Sequence, residues 1–256
     1  MAALLAFLVG LALGSFLNVV ATRLPGHEQF WAGRSRCPHC RTPLPWYDNL
    51  PLLSYLVLQG RCRFCGAGIS WRYPLLELAG GLLSLALWLR FPWSPLLLAY
   101  GPFAGALLAL TAIDLEHRLL PDVITYPGIV LGLGLALFLP HLTFLESILG
   151  VLLGGGIFFL TGWLYEKITG KRGMGGGDVK LLAMIGAFLG VTSLPYIILI
   201  SACLGTLAGL GLLLARGGWR GGQWRTTRIP FGPFLAAAAI LYLFYGDKIV
   251  KLLEIR

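Results

Sequence analysis

A chain of 256 residues that is 57% hydrophobic and only 12% charged, with a mean hydropathy of +0.79, is not a soluble globular domain, where about a quarter of residues are charged. The formal net charge of +9 does not call for a nucleic-acid partner, because sixteen of the twenty Lys and Arg residues collect on one side of a helical membrane topology. Composition predicts an all-α polytopic protein whose partner is the lipid bilayer.

Apolar runs long enough to span a bilayer fall at 2–22, 75–90, 94–113, 123–139, 144–165, 179–193, 195–215 and 230–246, which predicts eight transmembrane helices. The basic loops orient them with both termini outside and the long connections in the cytoplasm. This divides the chain into a first transmembrane helix (1–22), a small cytoplasmic domain (23–74) and a seven-helix membrane domain (75–256). The first run lacks a basic leading region and an Ala-x-Ala cleavage pattern, and Arg23 follows it, as expected of a retained helix rather than a secretory signal. Its polar stretch Gly14-Ser15-Phe16-Leu17-Asn18 fits either helix packing through small residues or the lining of a site.

About fifty residues between the first two runs rarely bury enough core to fold unaided. Cys37-Pro38-His39-Cys40 and Cys62-Arg63-Phe64-Cys65 are two Cys-x-x-Cys knuckles separated by 21 residues, a spacing that suits a four-thiolate zinc site. In a reducing cytoplasm disulfides are disfavoured, and a redox pair is the alternative. With all four ligand positions filled by Cys37, Cys40, Cys62 and Cys65, no position is left for a catalytic water, so the zinc is structural and His39 a bystander. Cys203, alone in the seventh run, reads as a buried small hydrophobe.

The third run ends in Asp114, and a loop carrying Glu116, His117 and Arg118 leads to Pro121 and Asp122. Asp122 opens the next helix, where an acid ordinarily caps. Glu116 and His117 fit a solvated loop or groups that tune the nearby acids. After the fifth run, Lys167, Lys171 and Arg172 anchor the chain at the cytoplasmic face. Then comes Gly173-Met174-Gly175-Gly176-Gly177-Asp178-Val179-Lys180, which puts an acid where apolar residues begin. A carboxylate at full membrane depth costs roughly 2.5 to 3.5 kcal/mol, so Asp178 is a functional residue by default. Gly175, Gly176 and Gly177 let another backbone approach. A dinucleotide fingerprint is excluded, because Asp178 stands where its last glycine would be and no strand precedes it. The Gly-rich basic loop 216–228, with Trp219 and Trp224, suits the headgroup layer, and 247–256 is expected as a short amphipathic helix on the outer surface.

Asp114 ends a helix descending to the cytoplasm and Asp178 begins one leaving it, so both arrive at one depth. Two carboxylates that meet share a proton, giving a base to activate water and an acid to protonate a carbonyl, as in aspartic proteases. The plainer alternative is that each acid merely terminates its helix. Asp178 at a positive helix N-terminus, with Lys180 close by in sequence, is the expected base.

These residues resemble the type IV prepilin peptidases, membrane aspartic proteases of the Gly-x-Gly-Asp type. The resemblance runs through Gly14-Ser15-Phe16-Leu17-Asn18-Val19, Arg23-Leu24-Pro25, both Cys knuckles, Asn49-Leu50-Pro51, the stretch from Ile69 through Arg72-Tyr73-Pro74 to Glu77, Ile113-Asp114, Leu120-Pro121-Asp122 and Gly173 to Lys180. It implies cleavage, after a glycine, of the short basic leader of prepilins and pilin-like type II secretion proteins on the cytoplasmic side of the bacterial inner membrane. It also implies N-methylation of the new terminus with S-adenosylmethionine. Asp114 and Asp178 fall on the family's catalytic aspartates and the four cysteines on its metal ligands. Glu116 and Asp122 would attract a basic leader, with Gly175, Gly176, Gly177 and Lys180 supporting the site. The methyltransferase candidates are Gly60, Arg61 and Glu77; Gln59-Gly60-Arg61 stands where the family has a basic residue, glycine and lysine, and arginine differs from lysine in shape. A proton-coupled transporter would instead need acids deep within helices and a repeat between halves. A non-enzymatic pilus-assembly scaffold would keep its function without either aspartate.

Overall fold

The computed structural model describes residues 1–26, 28–29, 33–140, 142–170, 175–215 and 229–253. Gly173 and Met174 of the glycine stretch, the anchors Lys171 and Arg172, and the loop 216–228 lie outside the described residues. The chain separates into two units, Met1–Ile113 and Asp114–Arg256. Both are built from helices, with no strand among the described residues and only two isolated bridges, both in the first unit.

In the first unit α1 (Ala2–Arg23) runs alongside α3 (Arg72–Arg90). Glycines set how close they come: a Cβ on Gly14 would lie 2.7 Å from the Glu77 Cα, and one on Gly80 would lie 2.6 Å from the Gly10 carbonyl oxygen. Polar groups pin the crossing, since the buried Asn18 donates from Nδ2 to the Tyr73 carbonyl at 3.1 Å. The Gly14–Asn18 stretch therefore serves helix packing. Between these helices lie a 3-10 turn (Trp46–Asn49) and the short α2 (Leu53–Val57). The unit closes with α4 (Leu96–His117), whose residues from Asp114 onward belong to the second unit.

The second unit contains α5 (Asp122–Ala136), α6 (Phe144–Thr169), α7 (Gly176–Leu189), α8 (Leu194–Ala215) and α9 (Gly232–Leu253). Local chemistry places the ends of α6: Thr143 and Glu146 form a reciprocal capping box, and Gly170 closes the helix at φ 67°. Its centre is α7, in which every residue from Leu181 to Phe188 is buried, with α5, α6 and α9 packed around it. Gly150 of α6 faces Gly186 of α7, and neither has room for a Cβ. The buried Ser147 hydroxyl donates to the Ala187 carbonyl at 2.6 Å.

Each of the eight expected runs contains a helix, and five helical segments are long and apolar enough to cross a membrane: Ala2–Gly26, Leu96–His117, Phe144–Thr169, Val191–Ala215 and Gly232–Leu252. The chain is thus an all-helical, multi-pass membrane protein. With 15 and 14 residues, α5 and α7 fall short of the roughly 17 needed for an ordinary span. For α7 the reason is its enclosure by neighbouring helices, which frees it from matching the thickness of lipid.

Two expectations are corrected. Of the expected surface helix 247–256, residues 247–253 are not a separate element, because α9 continues through them without a break to Leu253; residues 254–256 lie outside the described residues. Cys203 is exposed, not buried, because its turn of α8 faces away from the helix packing of the unit.

Candidate active site and metal centre

Asp114 lies one turn from the end of α4 and is only 6% exposed. Its Oδ2 accepts a hydrogen bond of 3.0 Å from the backbone N–H of Gly232, the first residue of α9. Asp178 occupies the first turn of α7, is half-buried, and lies within electrostatic range of Asp114. The two acids expected to meet thus feel each other's charge, and both stand at a helix N-terminus, Asp178 on its own helix and Asp114 on α9. The helix-end asymmetry that marked Asp178 as the base is absent.

The Leu120 side chain packs against Gly177, next to Asp178, and against Gly232, which holds Asp114. A Cβ on Gly177 would lie 2.8 Å from the Leu120 Cβ, and one on Gly232 would lie 2.6 Å from Asp114 Oδ2 and 3.3 Å from the Leu120 Cδ2. Glycine is thus required beside each acid for a steric reason. Among the described residues, a Cβ on Gly176 would meet nothing within 4 Å and one on Gly175 only Asp178 Oδ2 at 3.6 Å, and both glycines are exposed on that side of Asp178.

Lys180 does not pair with Asp178. Its Nζ donates to Asp122 Oδ1 at 2.6 Å and lies 5.0 Å from the centre of the Tyr126 ring, so its charge ties the start of α5 to α7. Glu116 and His117 are exposed at the end of α4, their nearest charged atoms 4.0 Å apart. Of the features that order the site, Gly232 was missed by sequence reasoning, and Leu120 entered only as part of the Leu120-Pro121-Asp122 motif, without a role of its own. The Pro230-Phe231-Gly232-Pro233 run was the available signal, a glycine held between prolines at a helix start.

In the first unit the two knuckles have the same backbone plan. Cys37 N–H donates to the Thr42 carbonyl and Cys62 N–H to that of Ala67, and the fourth residue after each first cysteine is left-handed, Arg41 at φ 56° and Gly66 at φ 69°. This brings the sulfurs of Cys37, Cys40, Cys62 and Cys65 within 4.8 Å of one another, with 3.8 Å between those of Cys37 and Cys65. A tetrahedral zinc with sulfurs at about 2.3 Å has edges of about 3.8 Å, so the cluster fits that ion, and His39 has no part in it. Hydrogen bonds from the Thr42 side chain and backbone lower the Cys40 thiol to about 6, which favours the thiolate, the form a metal would bind, at neutral pH. Arg63, within the second knuckle, makes a bidentate pair with the buried Asp48, at 2.9 Å from Nε to Oδ2 and 2.7 Å from the terminal nitrogen to Oδ1.

Two of the methyltransferase candidates have structural duties here. Gly60 is left-handed at φ 68°, and a Cβ there would lie 2.9 Å from the Tyr55 hydroxyl. Glu77 is buried and accepts from the Leu52 N–H at 2.9 Å, which holds the start of α2 against α3. Arg61 is exposed.

Comparison with known proteins gives this arrangement a relationship. Residues 8–91 match the bacterial peptidase A24 N-terminal domain, and residues 103–210 match the type IV leader peptidase family. The chain is 40% identical to the prepilin leader peptidase/N-methyltransferase of Aeromonas hydrophila over 96% of its length and 92% of that protein's. The chain belongs to the type IV leader peptidase family. Relatives of the same name in Pseudomonas putida and Pseudomonas aeruginosa are each 39% identical, over 96% and 95% of this chain and 91% and 90% of theirs. No solved structure matches it. Asp114, Asp178 and Leu120 lie in the leader peptidase match, and the knuckles, Glu77 and Asn18 in the N-terminal one, whereas Gly232 lies beyond both.

Proposed function

We infer that this membrane enzyme cleaves the leader of prepilins and methylates the N-terminus so exposed. The observation that supports it most is the approach of Asp114 and Asp178 at two helix N-termini, with open chain at Gly175 and Gly176 beside them. Substrates are prepilins and pilin-like type II secretion proteins. The eight helices α1 and α3 to α9, short α5 and α7 included, are read as eight passes through the bacterial inner membrane, with the acids toward the cytoplasm, where basic residues collect. The chain then comprises helix 1–22, zinc domain 23–74 and peptidase domain 75–256.

With Asp114 Oδ2 engaged by Gly232 N–H, Oδ1 is the oxygen that bears the proton. Asp178, on the open side, is the base by access rather than by charge. It takes a proton from water, whose oxygen bonds to the scissile carbonyl carbon while Asp114 protonates the carbonyl oxygen. Collapse breaks the C–N bond, a proton passes to the leaving amine, and the products are a leader carboxylate and a free N-terminus. When bound, S-adenosylmethionine would supply the methyl group for that amine. Glu116 and Asp122 attract the basic leader, Gly175, Gly176 and Gly177 border its extended backbone, and Lys180 orients Asp122. Cys37, Cys40, Cys62 and Cys65 hold a zinc ion that staples the 23–74 domain, and Gly60, Arg61 and Glu77 belong to the methylating half.

The test is cleavage of purified prepilin in detergent by wild type, Asp114→Asn and Asp178→Asn, with the product's N-terminal mass recorded with and without S-adenosylmethionine. Both variants should fail to cut, and wild-type product should gain a methyl increment only with the cofactor. Normal cutting by either variant would refute the two-aspartate mechanism.

A further inference from the structure

The short helix α2 has an apolar face that its unit leaves uncovered. Leu53, Leu56 and Val57, at the i, i+3, i+4 spacing of one helix side, are 61%, 70% and 75% exposed. Two exposed tryptophans accompany them: Trp46 in the 3-10 turn that packs on α2, and Trp71, whose ring centre is 5.5 Å from that of Tyr55 on α2's other side. Between Arg41 and Arg61 the only charged residue is Asp48, and its carboxylate is bound by Arg63.

The depth of this face can be read from its attachments. Leu52, the residue that begins α2, is held by the Glu77 carboxylate. Glu77 lies five residues into α3, about 7.5 Å along its axis from Arg72. The register against the candidate span α1 is given twice, by Asn18 bonded to Tyr73 and by Gly14 against Glu77. Those positions are five and nine residues inside Arg23, about 7.5 and 13.5 Å from the end of α1. Helical side chains lean toward the N-terminus, so Glu77 reaches back toward Arg72 and holds Leu52 between those two levels. A face at that depth beside a membrane helix meets the boundary of headgroups and acyl chains. Tryptophans and a ring of arginines are the side chains that suit this layer.

We propose that α2 is an interfacial anchor, with Leu53, Leu56 and Val57 seated in the acyl chains of the leaflet that α1 and α3 enter, and Trp46 and Trp71 at its headgroups. The occupant of the face is lipid, continuous with the lipid around α1. The anchor holds the zinc knuckles flat against the bilayer. Residues 23–72 carry seven arginines against Glu28 and Asp48, which favours an anionic leaflet.

Carbene footprinting of the wild-type protein in anionic vesicles tests this without a variant. One arm uses a phospholipid with an acyl-chain diazirine, the other a water-soluble diazirine, and adducts are mapped by mass spectrometry. The lipid probe should mark Leu53, Leu56 and Val57 within a few-fold of its yield on the exposed Leu4, Leu5 and Leu8 of α1, while the aqueous probe should miss them. Marking of residues 53–57 by the aqueous probe alone would place the face in water and overturn the proposal. Marking by neither would mean a protein surface covers it, which also overturns it. Peptidase activity does not enter the readout, so the result stands apart from the proposed function.

Discussion

Gly232→Ala disturbs the contact that holds Asp114 while leaving both acids in the sequence. The added Cβ would stand 2.6 Å from Asp114 Oδ2, where ordinary contact begins at 3.4 Å. The carboxylate must therefore retreat by about 0.8 Å, a displacement of the size that costs about a hundredfold in a well-ordered site. The same movement breaks the 3.0 Å bond from the Gly232 N–H. A hydrogen bond to a charged group contributes about 1.5–3 kcal/mol, equal to about ten- to hundredfold in rate if it is lost at the transition state. Both routes point to a fall of that order in kcat/KM for prepilin cleavage. Alanine is a better helix former than glycine, so α9 itself should not suffer. The thermal midpoint and zinc content of the purified variant act as controls. Gly134→Ala in α5, whose Cβ meets nothing within 4 Å, should cut like wild type and serves as the matched comparison. If Gly232→Ala cleaved as fast as Gly134→Ala, the N-terminus of α9 would have no part in placing Asp114.

Other expectations concern pairs seen only in the folded chain. Lys180→Met and Asp122→Asn should couple by about 0.5–1 kcal/mol in a double-mutant cycle of unfolding, the range for a part-exposed ion pair. Each should cut better than Asp178→Asn, and additive effects would dissolve the pair. Arg41→Gly places glycine at a left-handed position and should stabilise the first knuckle by about 1 kcal/mol, read as slower zinc loss to a chelator; faster loss would contradict it. Cys37→Ser should lower zinc below one ion per chain by mass spectrometry and loosen residues 33–70 to protease, and unchanged zinc would count against the four-thiolate centre. Glu77→Gln keeps an oxygen for the Leu52 N–H and should leave methylation near wild type, whereas Glu77→Ala should not. Equal loss in both would mean that the charge of Glu77, and not its hold on Leu52, is what the enzyme uses.

The eight helical runs, the four-cysteine cluster and the two acids were legible in the sequence because each signal is local: continuous apolarity, two Cys-x-x-Cys spacings, a carboxylate at a helix end. Partners far apart in the chain were not. Lys180 reads as a neighbour of Asp178, two residues away, yet packing of α5 on α7 hands its charge to Asp122, 58 residues away. Nothing in the sequence ties Gly232 to the site; only the packing of α9 brings its N–H to a carboxylate 118 residues earlier. The same gap explains Cys203, whose apolar sequence context does not say which side of α8 it occupies. It also explains α7, whose shortness is affordable only because other helices surround it. The order of residues decides which groups a chain possesses and where its helices begin; which group faces which is decided when the helices pack, since only then do close glycine contacts and buried polar atoms select their partners.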